Sequence, residues 1–271
     1  MALSQIIGSG TLASSMTIRL ISWNVNGIRS LEKKGLASWL QETAPDILCL
    51  QETKAHPEQL SKEITAPTNY NAYWDYPERK GYSGVAIFSR VPPLAVSRGF
   101  GIERFDAEGR VLVARYPAFT LFNVYFPNGK MGQERLQYKL DFYDAFLEHL
   151  LARRAAGERL VICGDFNTAH REIDLARPAQ NQNTSGFLPE ERAWMDKLAD
   201  SGFVDTFRHF NQEPGNYTWW DLRTGARERN VGWRLDYFFV SDDLVDSLVD
   251  ASIMREVMGS DHCPVSLTLK L

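Results

Sequence analysis

Short apolar runs recur along the chain, and several of them stop abruptly at a polar residue. Ile18-Arg19-Leu20-Ile21-Ser22-Trp23 is the first, followed by Ile47 to Leu50, Gly84 to Phe88, Val111 to Ala114 and Thr120 to Phe126. The second half adds Leu160 to Cys163, Leu235 to Val240 and Val265 to Leu269, so the pattern predicts at least eight strands. Between the strands the apolar spacing changes. From Gln133 to Arg154, the positions Leu136, Leu140, Tyr143, Leu147 and Leu150 follow the helical repeat and predict a long helix. Leu36, Trp39 and Leu40 predict a shorter one. Pro189 to Ala199 predicts another, with Pro189 in the first turn, where a missing N–H costs nothing. No internal repeat, low-complexity run or Pro/Gly linker divides the chain, so strands from both halves are expected in one α/β domain with sheets buried beneath outer helices.

Composition narrows the class. The chain has 271 residues, 44% hydrophobic and 24% charged, enough for a substantial core. Its apolar runs are far shorter than the ~20 residues needed to cross a bilayer, so no membrane partner is expected. The opening MALSQIIGSGTLASSM lacks the charged start of a secretory signal. Residues 1–16 read as a tag or disordered tail, Met16 as a natural start, and 17–271 as the single domain. Cys49, Cys163 and Cys263 are odd in number, widely spaced and set in apolar runs, which supports neither a disulfide framework nor a Cys-pair zinc site. A reducing, cytoplasmic setting follows, and not secretion. A net charge of -4 argues against a protein that simply coats nucleic acid, but not against a nuclease whose carboxylate cluster offsets a basic rim.

Candidate chemistry sits where apolar runs end. Ile21-Ser22-Trp23 runs into Asn24-Val25-Asn26, Leu48-Cys49-Leu50 into Gln51-Glu52-Thr53, and Val161-Ile162-Cys163 into Gly164-Asp165-Phe166-Asn167. Asp236 opens a strand, and Ser260-Asp261-His262 precedes the last one. Taken singly, an Asp or Asn after a strand is turn chemistry, a lone His is a hydrogen-bonded structural residue, and Glu52 is a loop carboxylate. Five such places in one chain change that reading. Strand ends on one edge can converge, and Asp, Glu and Asn oxygens are what hard cations such as Mg²⁺ and Mn²⁺ prefer, so a single magnesium-type site is the economical interpretation.

The set Asn24, Gln51-Glu52-Thr53, Gly164-Asp165-Phe166-Asn167 and Ser260-Asp261-His262 resembles the endonuclease/exonuclease/phosphatase superfamily. Those short motifs alone imply only metal-dependent cleavage of a phosphoester. The longer stretches SWNVNGIR (22 to 29), GYSGVAIFSR (81 to 90), VYFPNGK (124 to 130), FLPEERAWMD (187 to 196), VDTFRHF (204 to 210) and NVGWRLDYFF (230 to 239) resemble the exonuclease III family of apurinic/apyrimidinic (AP) endonucleases from about Thr17 to Leu271. VYFPNGK and NVGWRLDYF are more similar to the branch containing the eukaryotic AP endonuclease. The fold the resemblance implies is a four-layered α/β sandwich, two mixed β-sheets packed face to face with helices outside, as in DNase I.

The resemblance also assigns roles. It implies Glu52 as the main metal ligand with Asn24, Asn26 and Asp261 near the ion, Mg²⁺ as the cofactor and Mn²⁺ as a substitute. It implies that His262, paired with Asp236, contacts the scissile phosphate or positions water, that Asp165 orients or deprotonates the attacking water, that Asn167 donates to phosphoryl oxygens, and that Tyr125 places its hydroxyl on the phosphate. Trp219, Trp233 and Leu235 match the apolar wall of a pocket for a sugar without a base, Trp219 standing where relatives commonly have phenylalanine. Arg29, Asn128 and Asn181 match substrate contacts, and Met131 and Arg223 fall at the positions that push into the helix. Arg29, Lys54, Lys80, Lys130, Arg223, Arg227 and Arg229 lie in loops suited to rim DNA. Cys263 reads as a small packed core residue, since nothing in the sequence would activate its thiol. The implied activity is incision 5′ to abasic sites in double-stranded DNA, with 3′ to 5′ exonuclease activity and repair of blocked 3′ ends, by a monomer. Three rivals remain open: a 3′-end specialist, a lipid or inositol phosphate phosphatase, which has no reason to carry NVGWRLDYFF, and a non-catalytic scaffold, which predicts losses among Glu52, Asp165, Asn167, Asp236 and His262 that do not occur.

Overall fold

The computed structural model describes residues 16–271; of the stretch 1–16 expected to be a tag or tail, residues 1–15 lie outside them. Twelve strands form two six-stranded sheets. The first contains β1 (Thr17–Asn24), β2 (Ile47–Gln51), β3 (Asn71–Asp75), β4 (Val85–Ser89), β11 (Leu248–Ile253) and β12 (Val265–Lys270), in the order β11-β12-β1-β2-β4-β3. The second contains β5 (Ala95–Arg98), β6 (Val111–Arg115), β7 (Thr120–Tyr125), β8 (Leu160–Asp165), β9 (Phe203–Asp205) and β10 (Asp236–Ser241), in the order β5-β6-β7-β8-β10-β9. Each sheet has one parallel pair at its centre, β1 with β2 and β7 with β8, and antiparallel neighbours elsewhere, so both are mixed. Met16 exchanges both backbone hydrogen bonds with Leu271, at 2.9 Å each.

Side-chain alternation along the strands divides the core into layers. Leu20, Cys49 and Ile87 of the first sheet meet Leu121, Cys163 and Phe238 of the second between the sheets. The alternate positions Ile21, Trp23, Leu48 and Leu50 face outward, where α1 (Ile28–Glu32), α2 (Leu36–Thr43) and α3 (Lys62–Thr65) contribute Ile28, Leu31, Leu36, Leu40 and Ile64. On the far side, Phe122 and Ile162 are covered by α4 (Glu103–Asp106), α5 (Gln133–Ala155) and α6 (Pro189–Asp200); α7 (Thr206–Phe210) packs at β10 and β11. The result is the four-layered α/β sandwich with helices outside.

All eight expected strands are present, and the four unanticipated ones, β3, β5, β9 and β11, are the four sheet edges. On the long helix the buried face centres on Phe142, Tyr143, Phe146, Leu147 and Leu150, while Leu136 and Leu140 are only part-buried. A buried polar bridge ties the two sheets just behind the ends of β1 and β2. Gln51 Nε2 donates to Ser22 Oγ (2.9 Å) and Asn123 Oδ1 (2.7 Å), and Asn123 Nδ2 donates to the carbonyls of Leu50 and Ala86. Hydrogen bonds of this kind, dry and directional, hold one sheet in register against the other where purely apolar contact would allow sliding.

Candidate active site

Strand register brings the polar ends together. In the second sheet Asp165 is the partner of Tyr125 on β7 and of Asp236 on β10, so three functional side chains share one row. From the first sheet Asn24 crosses to this row: its Nδ2 donates to Asp165 Oδ2 (2.8 Å) and to Glu52 Oε1 (3.1 Å). The segment before β12 closes the site. Ser260 Oγ donates to the Asn24 carbonyl (2.9 Å), Trp23 Nε1 donates to the His262 carbonyl (3.1 Å), and His262 Nδ1 lies 2.8 Å from Asp236 Oδ2. The other ring nitrogen, Nε2, stands 4.0 Å from Asp165 Oδ2. Thr218 Oγ1 accepts the backbone N–H groups of Leu235 and Asp236, which fixes the start of β10.

The loops that leave these strands are bent hard. Asn26, Glu52, Lys54 and Asn167 all have φ between +43° and +52°, a region that L-residues other than Asn and Gly seldom enter. Such strain, about 1–3 kcal/mol per residue in unfavourable cases, persists only where surrounding contacts impose it. Here they do: the Glu52 carbonyl accepts from Gly27 N (2.8 Å) and Lys54 N donates to the Ser83 carbonyl (2.8 Å), while the two Asn positions are fixed by Asn26 N to Asn24 Oδ1 (3.0 Å), Asn167 N to Asp165 Oδ1 (2.8 Å), and Asn167 Nδ2 to the Phe126 carbonyl (2.9 Å) and Asp165 Oδ2 (3.2 Å).

Charge in the cluster is set by burial and neighbours. Burial would favour neutral His262, but the Asp236 carboxylate overrides it, with Asp165 and Asp261 adding, and its pKa rises to about 10. Burial pushes Asp165 upward, opposed by the His262 charge and reinforced by Asp236 and Glu52. Burial also acts to raise Glu52, yet Lys54 at 2.6 Å holds its carboxyl below the usual range. Tyr125 is buried and lies beside Glu52; burial first, then that carboxylate, keep its phenol protonated. The Arg110 guanidinium, 4.6 Å over the Tyr125 ring, donates to the Tyr125 carbonyl (3.0 Å) and so fixes the residue from behind.

Two groups of donors bear on a metal. The ligand atoms of Asp165, Asp236 and His262 lie within 4.8 Å of one another. His262 is already charged between two carboxylates, and an imidazolium has no lone pair for a cation. Glu52 and Asn26 fit better: Glu52 Oε2 and Asn26 Oδ1 converge on one positive charge, the Lys54 ammonium, at 2.6 and 2.5 Å. Asp261 joins this oxygen set, its Oδ1 accepting from Asn26 Nδ2 (2.9 Å). Hard-cation chemistry suits that donor set.

A cavity of about 400 Å³ opens beside Asn167, walled by Trp219, Trp233 and Leu235 and reached by Lys130 and Asn181. Trp219 Nε1 donates to Asp261 Oδ2 (3.0 Å), and Lys130 Nζ lies 5.0 Å over its ring. Asn181 Nδ2 donates to the Arg177 carbonyl (2.8 Å). The remaining substrate candidates stand outside this cavity. Arg29 is exposed on α1, Asn128 is half-buried after β7, and Arg223 folds back on Asp221 (3.1 Å) with 90% of its side chain exposed. Met131, 86% exposed, lines a separate groove with Tyr82 and Arg135. Of the expected basic rim, Lys54 points into the site, and Arg227 turns inward to the carbonyls of Val257, Arg255 and Ser260. Cys263 is fully buried and burial pushes its thiol up, so it is packing. Arg110 and Thr218 went unseen in the sequence; each acts on a neighbour through a tertiary contact that no local pattern signals.

The endonuclease/exonuclease/phosphatase family model matches residues 21–262, a span that contains every residue of the cluster. The chain belongs to this family. The exodeoxyribonuclease of Bacillus subtilis (strain 168) is 44% identical over 256 residues, covering 94% of this chain and 100% of that protein. The DNA repair nuclease APEX1 of Danio rerio is 44% identical over 255 residues, 93% of this chain and 82% of that one. The structure of an AP endonuclease from Archaeoglobus fulgidus superposes with a TM-score of 0.85 at 32% identity, over 94% of this chain and 100% of that one. As a member of the family the chain is a hydrolase of the nuclease type. Among the described residues no helix is long and apolar enough to cross a membrane.

Proposed function

We propose that this family member is a Mg²⁺-dependent AP endonuclease of base excision repair, which hydrolyses the phosphodiester 5′ to abasic sites in double-stranded DNA and also trims 3′ ends. The observation that carries the reading is the cavity, with Trp219, Trp233 and Leu235 forming one wall, set directly against the acid cluster. On one side Trp219, Trp233 and Leu235 offer apolar contact to a bare sugar, polar groups such as Asn181 and Lys130 line the rest, and Trp219 touches cavity and cluster at once. Rejection of an intact nucleotide by such a wall is steric.

Asp165, pushed toward protonation by burial and neighbouring carboxylates, takes the proton of the attacking water. The water oxygen bonds to phosphorus, the bond from phosphorus to the 3′ oxygen breaks, and that oxygen leaves to take its proton from solvent. His262, held charged by Asp236, and the protonated Tyr125 hydroxyl donate to the phosphoryl oxygens as negative charge grows there. Asn167 joins them by exchanging its longer contact, the one to Asp165, for a phosphoryl oxygen. A divalent cation bound by Glu52, with Asn24, Asn26 and Asp261 around it, would neutralise phosphate charge and favour departure of the 3′ oxygen. Lys54, which now bridges Glu52 and Asn26, would then be released toward the DNA backbone. Lys130 and Arg29 supply phosphate contacts that carry no sequence information.

The test is cleavage of a duplex carrying one abasic-site analogue, in Mg²⁺ and in EDTA, beside an undamaged duplex, a 3′-phosphate nick and the Asp165→Asn variant. Mg²⁺-dependent incision only 5′ to the lesion, lowered at least about 10²-fold in the variant, is expected. Removal of the 3′-phosphate with the abasic strand left intact would reassign the protein to 3′-end repair.

A further inference from the structure

Behind the catalytic loop lies an ion pair that the chemistry above does not use. Lys139 on α5 and Glu191 on α6 are 2.6 Å apart, and both side chains are fully buried. Burying two charges is costly, and a pair of this kind is often no more stabilising than apolar residues of the same size. Its position accounts for it better than stability does. Lys139 Nζ donates to the carbonyl of Asn167 (2.7 Å) and to Thr168 Oγ1 (2.8 Å). One helical turn further on, Tyr143 donates to the carbonyl of Phe166 (2.6 Å) and accepts from the same Thr168 hydroxyl (2.9 Å). Glu191 faces the other way. It accepts the N–H groups of Gly186 (2.5 Å) and Leu188 (3.0 Å) and the hydroxyl of Ser185 (3.0 Å), and Ser185 and Gly186 line the cavity. The two loops also touch directly, Ala169 N donating to the Gly186 carbonyl (2.8 Å).

Resting on the nuclease reading above, we propose that Lys139 and Glu191 are a positioning pair that locks the Asp165–Asn167 loop and the Ser185–Gly186 wall of the sugar cavity into one rigid unit. Asn167, at φ +52°, holds a left-handed backbone conformation, and the Lys139 ammonium on its own carbonyl is one of the contacts that fix it. The pair thereby couples two things that must agree for selective incision: where the water is activated and where the sugar sits. A misplacement of about 1 Å costs on the order of 10²-fold in rate even when it starts away from the chemistry.

The deciding variant is Lys139→Met/Glu191→Gln, with Lys139→Met alone beside it. The double change leaves no unpaired charge, and the Gln carbonyl still accepts from Gly186 and Leu188, so folding is retained where the single change risks it. Expected are a kcat for abasic incision about 10- to 100-fold lower with KM largely unchanged, and a fall in the ratio of abasic incision to removal of an undamaged 3′ nucleotide. Hydrogen exchange is expected to speed up in peptides covering 165–170 and 184–188 and to stay unchanged in β1 and β7. A folded double variant with wild-type kcat and ratio overturns the proposal. So does a loss of activity accompanied by faster exchange throughout the sheets, which marks the pair as general stabilisation. If the wild-type protein itself leaves the abasic duplex uncut, the nuclease reading fails in that control, and the exchange comparison still decides whether the pair locks the two loops together.

Discussion

His262 illustrates how one side chain depends on another. Its charge comes from Asp236, because burial by itself favours the neutral ring. Asp236→Asn keeps the shape and a hydrogen bond but removes that charge, so the imidazole pKa falls to the ordinary range or below. In the wild-type protein the ring stays protonated up to about pH 10. In the variant it is neutral at pH 7.5, and the expected result is a fall in kcat of about 10²-fold at that pH with partial recovery at pH 5.5 to 6. A pH–rate profile of the two proteins, with the imidazole titration followed by NMR, checks this; parallel profiles would rule the charge out. Glu52, Asp165, Asn167, Asp236 and His262 were legible in the sequence because each interrupts or abuts an apolar run, a place where a polar residue needs a reason. Lys139 and Arg110 were not, and Lys54 was legible only as a rim charge, not as the partner of Glu52. A lysine between a tyrosine and a leucine of a helix looks the same in sequence whether its ammonium is solvated or, like that of Lys139, sealed against a carboxylate 52 residues further along the chain.

At the scale of elements, the central strands announced themselves and the edges did not. β1, β2, β4, β7 and β8 are buried on both faces, which gives continuous apolar runs. β5 reads Ala-Val-Ser-Arg and is mostly exposed, and β11 carries Val249 and Asp250 outward. Edge strands are short and polar because an apolar edge would recruit other chains, so the pressure that protects them also removes their signal. The junction of β7 and β8 shows the opposite case, a constraint tight enough to test. Gly164 has φ +139°, and a Cβ there would sit 1.8 Å from the Val124 carbonyl oxygen. Gly164→Ala is therefore expected to force the parallel pair apart beside Asp165, lowering stability by at least about 1–3 kcal/mol and activity with it. Denaturant unfolding measures the first; an unchanged midpoint would show that the pair yields without cost.

The whole molecule carries two buried carboxylates away from the active site whose titrations pull stability in opposite directions, and both contribute to its acid behaviour. Asp174 is gripped by Arg234 (2.8 Å) and Arg208 (2.7 Å); burial acts against ionisation, but the two guanidinium groups bring its pKa down to about 2. A depressed folded pKa gives stability that is present above the unfolded value of about 4 and is lost as pH falls toward 2, roughly 2 kcal/mol in all. Asp75, at the end of edge strand β3, is the reverse. Its Oδ2 has no hydrogen-bond partner and burial drives its pKa up to about 6, with Arg98 opposing and Asp106 adding. There the folded state binds the extra proton, so stability increases as pH drops from about 6 to 4 and is lost as pH rises through 6, by about 1–3 kcal/mol. Unfolding measured from pH 2 to 8 is expected to show greatest stability on the acid side of neutrality, with a steep fall below pH 4. Asp75→Asn should raise stability above pH 6 and flatten that side of the curve, whereas Asp174→Asn should lower it at neutral pH and flatten the acid fall. If Asp75→Asn leaves the neutral side unchanged, the carboxylate there is solvated in the folded protein and its burial contributes nothing to the pH dependence.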